Sequence, residues 1–256
     1  MPSDSIYITI LRDPVTNFES MYTYMRLDLR YSPDGGQKHL VSLTEFLDSA
    51  PKYYANRENV YGGNFSRNPM LYDFGLQTED MDDQSKIDYL ISVIDNRFDL
   101  VMIADYFEES LILMKSLLCL ELNDIAHLTM NARSGDSVQK LGDSLAKKIR
   151  HWNWGDVRLF DHFKKTFQER LTNFGAQRMK GELEQLGRMN AWMKKQCVAD
   201  VAVDMEGVWH PDGVKIEGYI LKKQHLNNED SICQRMTRSE ITYTDILKKR
   251  QSRFPP

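Results

Sequence analysis

Cysteine is scarce in this chain, which contains only Cys119, Cys197 and Cys233. Three widely spaced thiols do not form the paired clusters of a structural zinc site or a disulfide framework, and an odd number leaves at least one thiol unpaired. Two arrangements remain open. We favour three buried thiols over a single disulfide that joins Cys197 to Cys233.

Long apolar runs are also absent. No stretch reaches the roughly eighteen consecutive apolar residues of a membrane-spanning helix. The first residues, Met1–Ser5, lack the charged-then-apolar order of a signal peptide. We therefore expect no targeting segment in the sequence as printed.

An excess of charge of one sign is missing as well. The 256 residues include 33 Lys and Arg against 37 Asp and Glu, so the formal net charge is -4. This balance provides no basic field of the kind that attracts duplex nucleic acid, and we expect no nucleic-acid partner. With 41% hydrophobic residues, the chain can still bury a sizeable core.

Two short apolar runs rich in β-branched residues predict strands. Ile6–Leu11 and Phe98–Ala104 are bounded by polar residues, and helical patterns follow them, from Pro14 and over Phe107–Leu122. A third strand is predicted over Ile125–Arg133. Near-continuous apolar strands that alternate with helices are typical of an α/β layer, in which helices cover both faces of a parallel sheet.

We predict a single domain over residues 1–256, with an α/β part at 1–133 and a mainly helical part at 134–256. Apolar residues recur at helical spacing from Val157 to Phe174, which supports helix in the second part. From Pro51 to Leu76, tyrosines stand among Asn, Arg and Gly residues. This composition predicts a long functional loop.

The segment ITILRDPVTNFESMY places Arg12 at the end of the first predicted strand. Ligands of open α/β sheets bind beyond the carboxyl ends of the strands, where Arg12 is expected to lie. A helix beginning near Pro14 is expected to aim unpaired backbone N–H groups at the same crevice, and Ser20 adds a hydroxyl. Together these groups are typical of a phosphate-monoester site. The open alternative is a common Arg-Asp-Pro turn followed by an exposed helical serine.

The Arg-Asp-Pro turn, with a serine eight residues after the arginine, resembles the 3'-phosphate-binding motif of sulfotransferases. These enzymes use 3'-phosphoadenosine 5'-phosphosulfate (PAPS). Further segments stand in the order seen in the galactose-3-O-sulfotransferases: YITILRDPVTNFESMYTY, LTEFLDSAPKYY, RNPMLYDFGL, FDLVMIADYFEESLILMKSLLCLELNDI, LTMNAR, WNWGDVRLFDHFKKTF, and GYILKKQ followed by ICQRM. The resemblance extends over nearly the whole chain.

The resemblance implies a P-loop-NTPase-like sulfotransferase fold, with a parallel sheet flanked by helices. It implies a lumenal enzyme of the Golgi membrane that needs no metal. Such an enzyme moves a sulfuryl group from PAPS to the 3-hydroxyl of a terminal galactose, on a galactosylceramide-like glycolipid or on a glycan. Arg12 and Ser20 carry over as contacts to the 3'-phosphate of PAPS.

The resemblance also implies parts that are not found in these 256 residues. The family carries a first strand, a Lys-containing loop and a helix around the 5'-phosphosulfate, preceded by a membrane anchor and a histidine-containing segment. All of these come before the Arg-Asp-Pro strand, so we expect the fold to lack its first strand, loop and helix. No Gly-x-x-x-x-Gly-Lys-Ser/Thr loop occurs here, and Thr23 stands where close relatives carry a histidine.

The catalytic residues stay unassigned. His162 suits a structural role on an amphipathic helix, and His127 near a predicted strand end is a weaker candidate, so neither is assigned as the base. Two functions therefore remain open. The chain is either the PAPS- and acceptor-binding part of a galactose 3-O-sulfotransferase or a catalytically inactive truncated paralogue that binds a nucleotide or a glycan.

The predicted tyrosine-rich loop is the best place for a sugar. Its aromatic rings suit stacking on a pyranose, and Arg67, Asn68 and Asp73 are predicted to hydrogen-bond the sugar hydroxyls. Core packing of the same aromatics is an equally open alternative. The nearby Glu79–Asp83 contains an Asp-x-Asp that a metal-dependent glycosyltransferase uses, but we favour acidic residues that begin the next helix.

Overall fold

The computed structural model describes residues 5–130, 141–203, 216–225 and 231–252, which form an α/β protein. The chain divides into two units. The first comprises Met1–Leu118 and Leu141–Lys180, and the second comprises Cys119–Lys140 and Gly181–Pro256.

Two parallel strands lie in the first unit: β1 (Ile8–Leu11) and β2 (Leu100–Ile103). Ile8 pairs with Leu100 and Leu11 with Ile103. All four residues of β2 are buried, which explains why its sequence is continuously apolar rather than alternating. Both strands and their parallel arrangement confirm the prediction from the sequence.

Helices make up most of the rest of the described chain. In order they are α1 (Pro14–Tyr24), α2 (Leu27–Arg30), α3 (Leu43–Asp48), α4 (Ala50–Tyr54), α5 (Pro69–Asp73), α6 (Gln84–Arg97), α7 (Phe107–Leu118), α8 (Leu122–Ile125), α9 (Asp143–Trp152), α10 (Trp154–Phe174), α11 (Ala176–Cys197), α12 (Ile232–Thr237) and α13 (Glu240–Gln251). Short 3-10 turns lie at Arg57–Asn59, Gly63–Ser66, Thr78–Asp80, Ala104–Tyr106 and Lys223–His225. Within the described ranges, no helix has the length and apolar content needed to cross a bilayer.

Local capping sets where several helices begin and end. The Ser42 hydroxyl accepts a hydrogen bond from the Glu45 N–H and starts α3, as Asp83 does for Lys86 at the start of α6. Gly175 lies between α10 and α11 with φ 94°. Residues with a side chain adopt this conformation only at a cost, so glycine suits the break between the two helices.

Aromatic residues dominate the core that joins α1, α3 and α9 in the first unit. Phe18, Phe46 and Ile149 are fully buried there, and Trp152 lies against them. The rings of Phe46 and Trp152 meet edge to face, with centroids 6.4 Å apart. This core fixes the position of α1 directly after the tip of β1.

Two predictions about local structure are wrong. The described part of the predicted third strand, residues 125–130, contains the end of α8 and no strand, while 131–133 lie outside the described residues. The predicted long loop from Pro51 to Leu76 instead holds α4, α5 and two 3-10 turns, and it buries Tyr54. Some of its aromatic residues pack in the core and others lie at the surface. The mixed composition of the segment therefore did not indicate that it forms helices.

The second unit contains an antiparallel pair, β3 (Val198–Val203) with β4 (Glu217–Leu221). Cys197, at the end of α11, forms a disulfide with Cys233 on α12, with 5.2 Å between their Cα atoms. Cys119 is exposed and free. The preferred interpretation of three buried thiols is therefore wrong, because two of them are joined and the third lies at the surface.

Candidate functional site

A row of polar side chains follows the tip of β1. The Nε of Arg12 donates a hydrogen bond to Oγ1 of Thr16 at 3.1 Å, and Ser20 lies one helical turn after Thr16. Residues four apart on a helix share one face, so Thr16 and Ser20 are neighbours on the surface of α1. The two predicted phosphate contacts are thereby placed on the same side of α1.

The predicted site residues differ in exposure. Arg12 is exposed and Ser20 is half-buried. Since Thr16 occupies only Nε, the two terminal amino groups of the guanidinium point to no protein partner in the described part of the chain. Those groups form a fork that matches the geometry of a phosphate or carboxylate. Sequence reasoning missed Thr16, although the regular spacing of residues 12, 16 and 20 carries the signal.

The N-terminus of α1 does not supply free N–H groups, contrary to the prediction. The carboxylate of Asp13 accepts hydrogen bonds from the N–H groups of Val15 and Thr16, at 2.9 and 3.3 Å. Pro14 has no N–H, and the N–H of Asn17 is bonded to the Asp13 carbonyl at 2.8 Å. An anion at this site would therefore be held by side chains rather than by the helix N-terminus.

Asp13 also anchors the turn that carries Arg12. Its Oδ2 accepts a hydrogen bond from Arg150 of α9 at 2.8 Å, and its backbone N–H donates to Asp105 at 3.2 Å. Asp105 follows β2, so the turns after both strands are tied together. These contacts neutralise Asp13 and hold Arg12 at the carboxyl end of the sheet, as the sequence predicts.

Asn68 lies in a buried network that joins α5 to α10. It is 0% exposed. Its backbone N–H donates to Asn153 at 2.7 Å, its Oδ1 accepts the N–H of Asp156 at 3.1 Å, and its Nδ2 donates to the Met81 carbonyl at 3.2 Å. Both ends of the side chain are thus occupied within the fold, and the role of this residue is structural.

Asp156 completes this network from the other direction. Its carboxylate accepts the N–H groups of Met70 and Leu71 at 3.0 Å each, so it caps α5 from another helix. Burial disfavours the charged carboxylate and raises the pKa of Asp156 to about 7, despite these two hydrogen bonds. Asp156 is only 1% exposed, so its carboxyl lies out of reach of a ligand at the surface.

The other two residues predicted to contact a sugar lie apart from Asn68. Arg67 pairs with Asp82, and its guanidinium lies over the ring of Trp152, 4.2 Å from the centroid. Asp73 lies at the end of α5, where desolvation by the surrounding protein raises the pKa of its carboxyl. The structure therefore does not gather the three predicted residues into one site: Arg67 lines a groove, whereas Asn68 is fully buried.

The acidic segment Glu79–Asp83 has the structural role that we favoured. Asp83 caps α6, and Asp80 pairs with Lys86 at 2.6 Å. Asp82 pairs with Arg67. In the described ranges, no group of three or more His, Cys, Asp or Glu side chains has an arrangement that would hold a metal ion.

The two histidines weighed as bases have ordinary surroundings. His162 lies 3.4 Å from Asp95 and packs edge to face against Phe163. The backbone N–H of His127 donates to the side chain of Asn190 at 2.9 Å. Neither lies in the row formed by Arg12, Thr16 and Ser20, and both stay unassigned.

The parallel strand pair and the polar row at its tip define an α/β protein with a candidate anion site. A profile described as galactose-3-O-sulfotransferase matches residues 1–251. The chain therefore belongs to the galactose-3-O-sulfotransferase family, a family of enzymes.

Individual relatives agree with this assignment. The chain is 34% identical over 254 residues to the galactosylceramide sulfotransferase of Homo sapiens, which covers 95% of this chain and 59% of the relative. It is 32% identical over 266 residues to galactose-3-O-sulfotransferase 3 of Mus musculus, covering 99% and 61%. To galactose-3-O-sulfotransferase 2 of Sus scrofa it is 32% identical over 264 residues, covering 100% and 64%.

The chain thus spans about three fifths of the length of these relatives. No solved structure matches the chain.

Proposed function

We propose that this chain is the part of a sulfotransferase that binds the 3'-phosphate of PAPS and the sugar acceptor, with a terminal galactose as the acceptor. The observation that carries the proposal is the row of Arg12, Thr16 and Ser20 at the tip of β1. A fork-shaped guanidinium with free amino groups, beside the Ser20 hydroxyl, suits a phosphate monoester. The Thr16 hydroxyl orients the guanidinium, while its own proton is donated to the Asp13 carbonyl at 3.2 Å. Family membership supplies the substrate class.

The proposed reaction transfers a sulfuryl group. The galactose 3-hydroxyl oxygen attacks the sulfur of PAPS, a new oxygen–sulfur bond forms, and the bond from sulfur to the 5'-phosphate oxygen breaks. The products are the sulfated sugar and adenosine 3',5'-bisphosphate, while the hydroxyl proton leaves to a base. By analogy with phosphoryl transfer, positioning and charge stabilisation supply most of the acceleration. In this scheme Arg12 and Ser20 orient the donor through its 3'-phosphate.

The proposal extends to fold and location by family membership. The parallel pair β1–β2 belongs to a P-loop-NTPase-like sulfotransferase sheet, and the whole protein works on the lumenal side of the Golgi membrane. Its acceptor is a galactosylceramide-like glycolipid or a galactose-terminated glycan. No metal takes part in the proposed reaction.

Two measurements test the proposed function. Adenosine 3',5'-bisphosphate is expected to raise the melting temperature of this chain more than 5'-AMP does, because a ligand that binds only the folded state stabilises it. Equal shifts of the melting temperature with the two nucleotides would rule out the proposed 3'-phosphate site. The second measurement follows labelled sulfate from PAPS to galactosylceramide or lactosylceramide, using a protein extended to the length of its relatives. Binding without transfer would favour a nucleotide-binding protein that is not an enzyme.

A further inference from the structure

The sequence contains one triplet of the form Asn-x-Ser or Asn-x-Thr with x other than proline, at Asn64-Phe65-Ser66. Such a triplet is the acceptor of N-linked glycosylation, in which the asparagine amide receives an oligosaccharide. Its use depends on the compartment in which the chain folds and on whether the asparagine reaches solvent.

The disulfide between Cys197 and Cys233 indicates the compartment. Disulfides persist in oxidising environments, such as the lumen of the endoplasmic reticulum, and they are rare in the cytosol. N-linked oligosaccharides are attached in that same lumen. The acceptor triplet in the first unit and the disulfide in the second unit therefore point to one compartment.

Asn64 lies at the surface side of the 3-10 turn Gly63–Ser66. It is half-buried, and Tyr61, three residues earlier, is 77% exposed. The Nδ2 atom of Asn64 donates a hydrogen bond to the phenol oxygen of Tyr72 at 3.2 Å. An asparagine amide carries two N–H groups, and a glycosidic bond replaces one of them. The other N–H can keep the contact with Tyr72, so a glycan is compatible with this hydrogen bond.

Ser66, the third residue of the triplet, is enclosed in the native structure, where it is 0% exposed. Its hydroxyl donates to the Gly63 carbonyl at 2.5 Å and lies 2.8 Å from the hydroxyl of Tyr31. Its own carbonyl accepts a hydrogen bond from the indole Nε1 of Trp152 at 2.7 Å. The transferring enzyme must bind the whole triplet in an extended, accessible form, so the folded chain is a poor substrate for it.

The contact with Trp152 determines how long the triplet stays accessible during synthesis. Trp152 is made 86 residues after Ser66. Chains grow at about 5–20 residues per second, so these residues take on the order of 4–17 s to make. The triplet is therefore open to the transferring enzyme before this part of the core can form.

We propose that Asn64 carries an N-linked oligosaccharide, which is attached before the first unit folds around Ser66. The Nδ2 atom attacks C1 of the donor sugar, a nitrogen–carbon bond forms, and the bond from C1 to the oxygen of a lipid-linked diphosphate breaks. One N–H proton passes to a base, and the lipid diphosphate is the leaving group. The modification is independent of the proposed nucleotide site.

Translation of the whole chain behind a cleavable secretory signal, in the presence of microsomes, tests the site. The wild type is expected to show a gel shift that peptide-N-glycosidase F removes, and mass spectrometry is expected to find an aspartate at position 64 after this release. Asn64→Gln and Ser66→Ala should lose the shift. Ser66→Thr retains a hydroxyl at the third position and should keep it.

Asn59→Gln is the matched control, because Asn59 is a nearby exposed asparagine outside the triplet. Its gel shift should equal that of the wild type. Since the proposed attachment precedes folding, a variant that destabilises the native state still reports on the site. No shift in the wild type, or a shift that survives in Asn64→Gln, would overturn the proposal.

The order of attachment and folding needs a second measurement, on the unglycosylated whole chain made in bacteria. Purified oligosaccharyltransferase and its lipid-linked donor are mixed with the native chain and with the chain freshly diluted from urea. The diluted chain is expected to be modified and the native chain is expected not to be. Equal extents of modification would overturn the proposed order. The response of the unglycosylated chain to adenosine 3',5'-bisphosphate tests the proposed function separately, so the two proposals can fail independently.

Discussion

Arg12 and Thr16 are joined by a hydrogen bond of 3.1 Å between the guanidinium Nε and the hydroxyl Oγ1. Arg12 belongs to the turn after β1, and Thr16 lies in the first turn of α1. This contact orients an exposed arginine that otherwise has many rotamers. Pre-orientation lowers the entropy lost when a ligand binds, so Thr16 is a positioning residue in our account.

Thr16→Val tests this positioning role. The substitution keeps the side-chain shape and removes the acceptor for Arg12 Nε, so the affinity for adenosine 3',5'-bisphosphate should fall. A loss of about 0.5–1.5 kcal/mol is expected, which is roughly two- to twelvefold in affinity. Calorimetric titration with the bisphosphate and with 5'-AMP measures the effect, and the affinity for 5'-AMP should stay constant.

Thr172→Val is the matched control, because Thr172 lies on α10 and its hydroxyl donates to the Gln168 carbonyl, at 2.9 Å. Its affinity for the bisphosphate should equal that of the wild type. An unchanged affinity in Thr16→Val would show that the Arg12–Thr16 contact has no part in binding.

The buried carboxyl of Asp156 makes stability depend on pH. Its pKa in the folded protein, about 7, lies above the ordinary value of 3.8, so the folded state binds the proton more tightly than the unfolded state. The contribution of Asp156 to the free energy of unfolding therefore decreases as the pH rises from the unfolded to the folded pKa. Asn does not titrate, so Asp156→Asn lacks this contribution to the pH dependence.

Urea unfolding of the wild type and Asp156→Asn, at about pH 5 and about pH 8, checks this prediction. The stability of the wild type relative to the variant should be lower at the higher pH, by on the order of 2 kcal/mol. The same difference between the two proteins at both values of pH would mean that Asp156 titrates normally.

Gly155 occupies a position where no larger side chain fits. A Cβ atom there would lie 2.7 Å from Cδ1 of Leu71 and 3.0 Å from Nδ2 of Asn68. Gly155→Ala should therefore lower the free energy of unfolding by about 1–3 kcal/mol through overpacking, as measured by chemical denaturation.

Gly187 provides the opposite case within α11. A Cβ atom there would meet nothing within 4 Å. Gly187→Ala should leave stability unchanged or raise it by up to about 1 kcal/mol, because alanine favours helix more than glycine. Equal effects of the two substitutions would contradict the close packing of α10 against α5.

The disulfide gives the second unit a redox-dependent stability. Cys233→Ser should lower the free energy of unfolding of this unit by about 2–4 kcal/mol, because the cross-link closes a loop and restricts the conformations of the unfolded chain. Cys119→Ser is the control and should have little effect, since Cys119 is exposed and free.

Alkylation followed by mass spectrometry tests the pairing itself. It should label one cysteine before reduction and three afterwards. Three labels without reduction would contradict the pairing.

The sequence predicted those features that depend on neighbouring residues. The strands β1 and β2 were predicted from apolar β-branched runs. The start of α6 was predicted from the acidic segment that ends at Asp83. Arg12 at a strand end follows from the order of strand, turn and helix. In each case, the determining residues lie within a few positions of one another.

Features that depend on distant residues were not predictable in the same way. Asn68 and Asp156 cap each other's helices across 88 residues of sequence, so Asn68 was assigned to a sugar site that it does not line. The pairing of Cys197 with Cys233 was left open for the same reason. At the start of α1 the error was local: the Asp13 side chain competes successfully for the N–H groups that we expected to be free.

The most direct test of the central claim is a cycle that combines one substitution with one change of ligand. Affinities for adenosine 3',5'-bisphosphate and 5'-AMP are measured on the wild type, on Arg12→Ala and on the control Arg97→Ala, which alters an exposed arginine beside Tyr7. If Arg12 binds the 3'-phosphate, the wild type and Arg97→Ala prefer the bisphosphate, and Arg12→Ala loses about 1.5–3 kcal/mol of that preference. An equal preference in all three proteins would contradict the account.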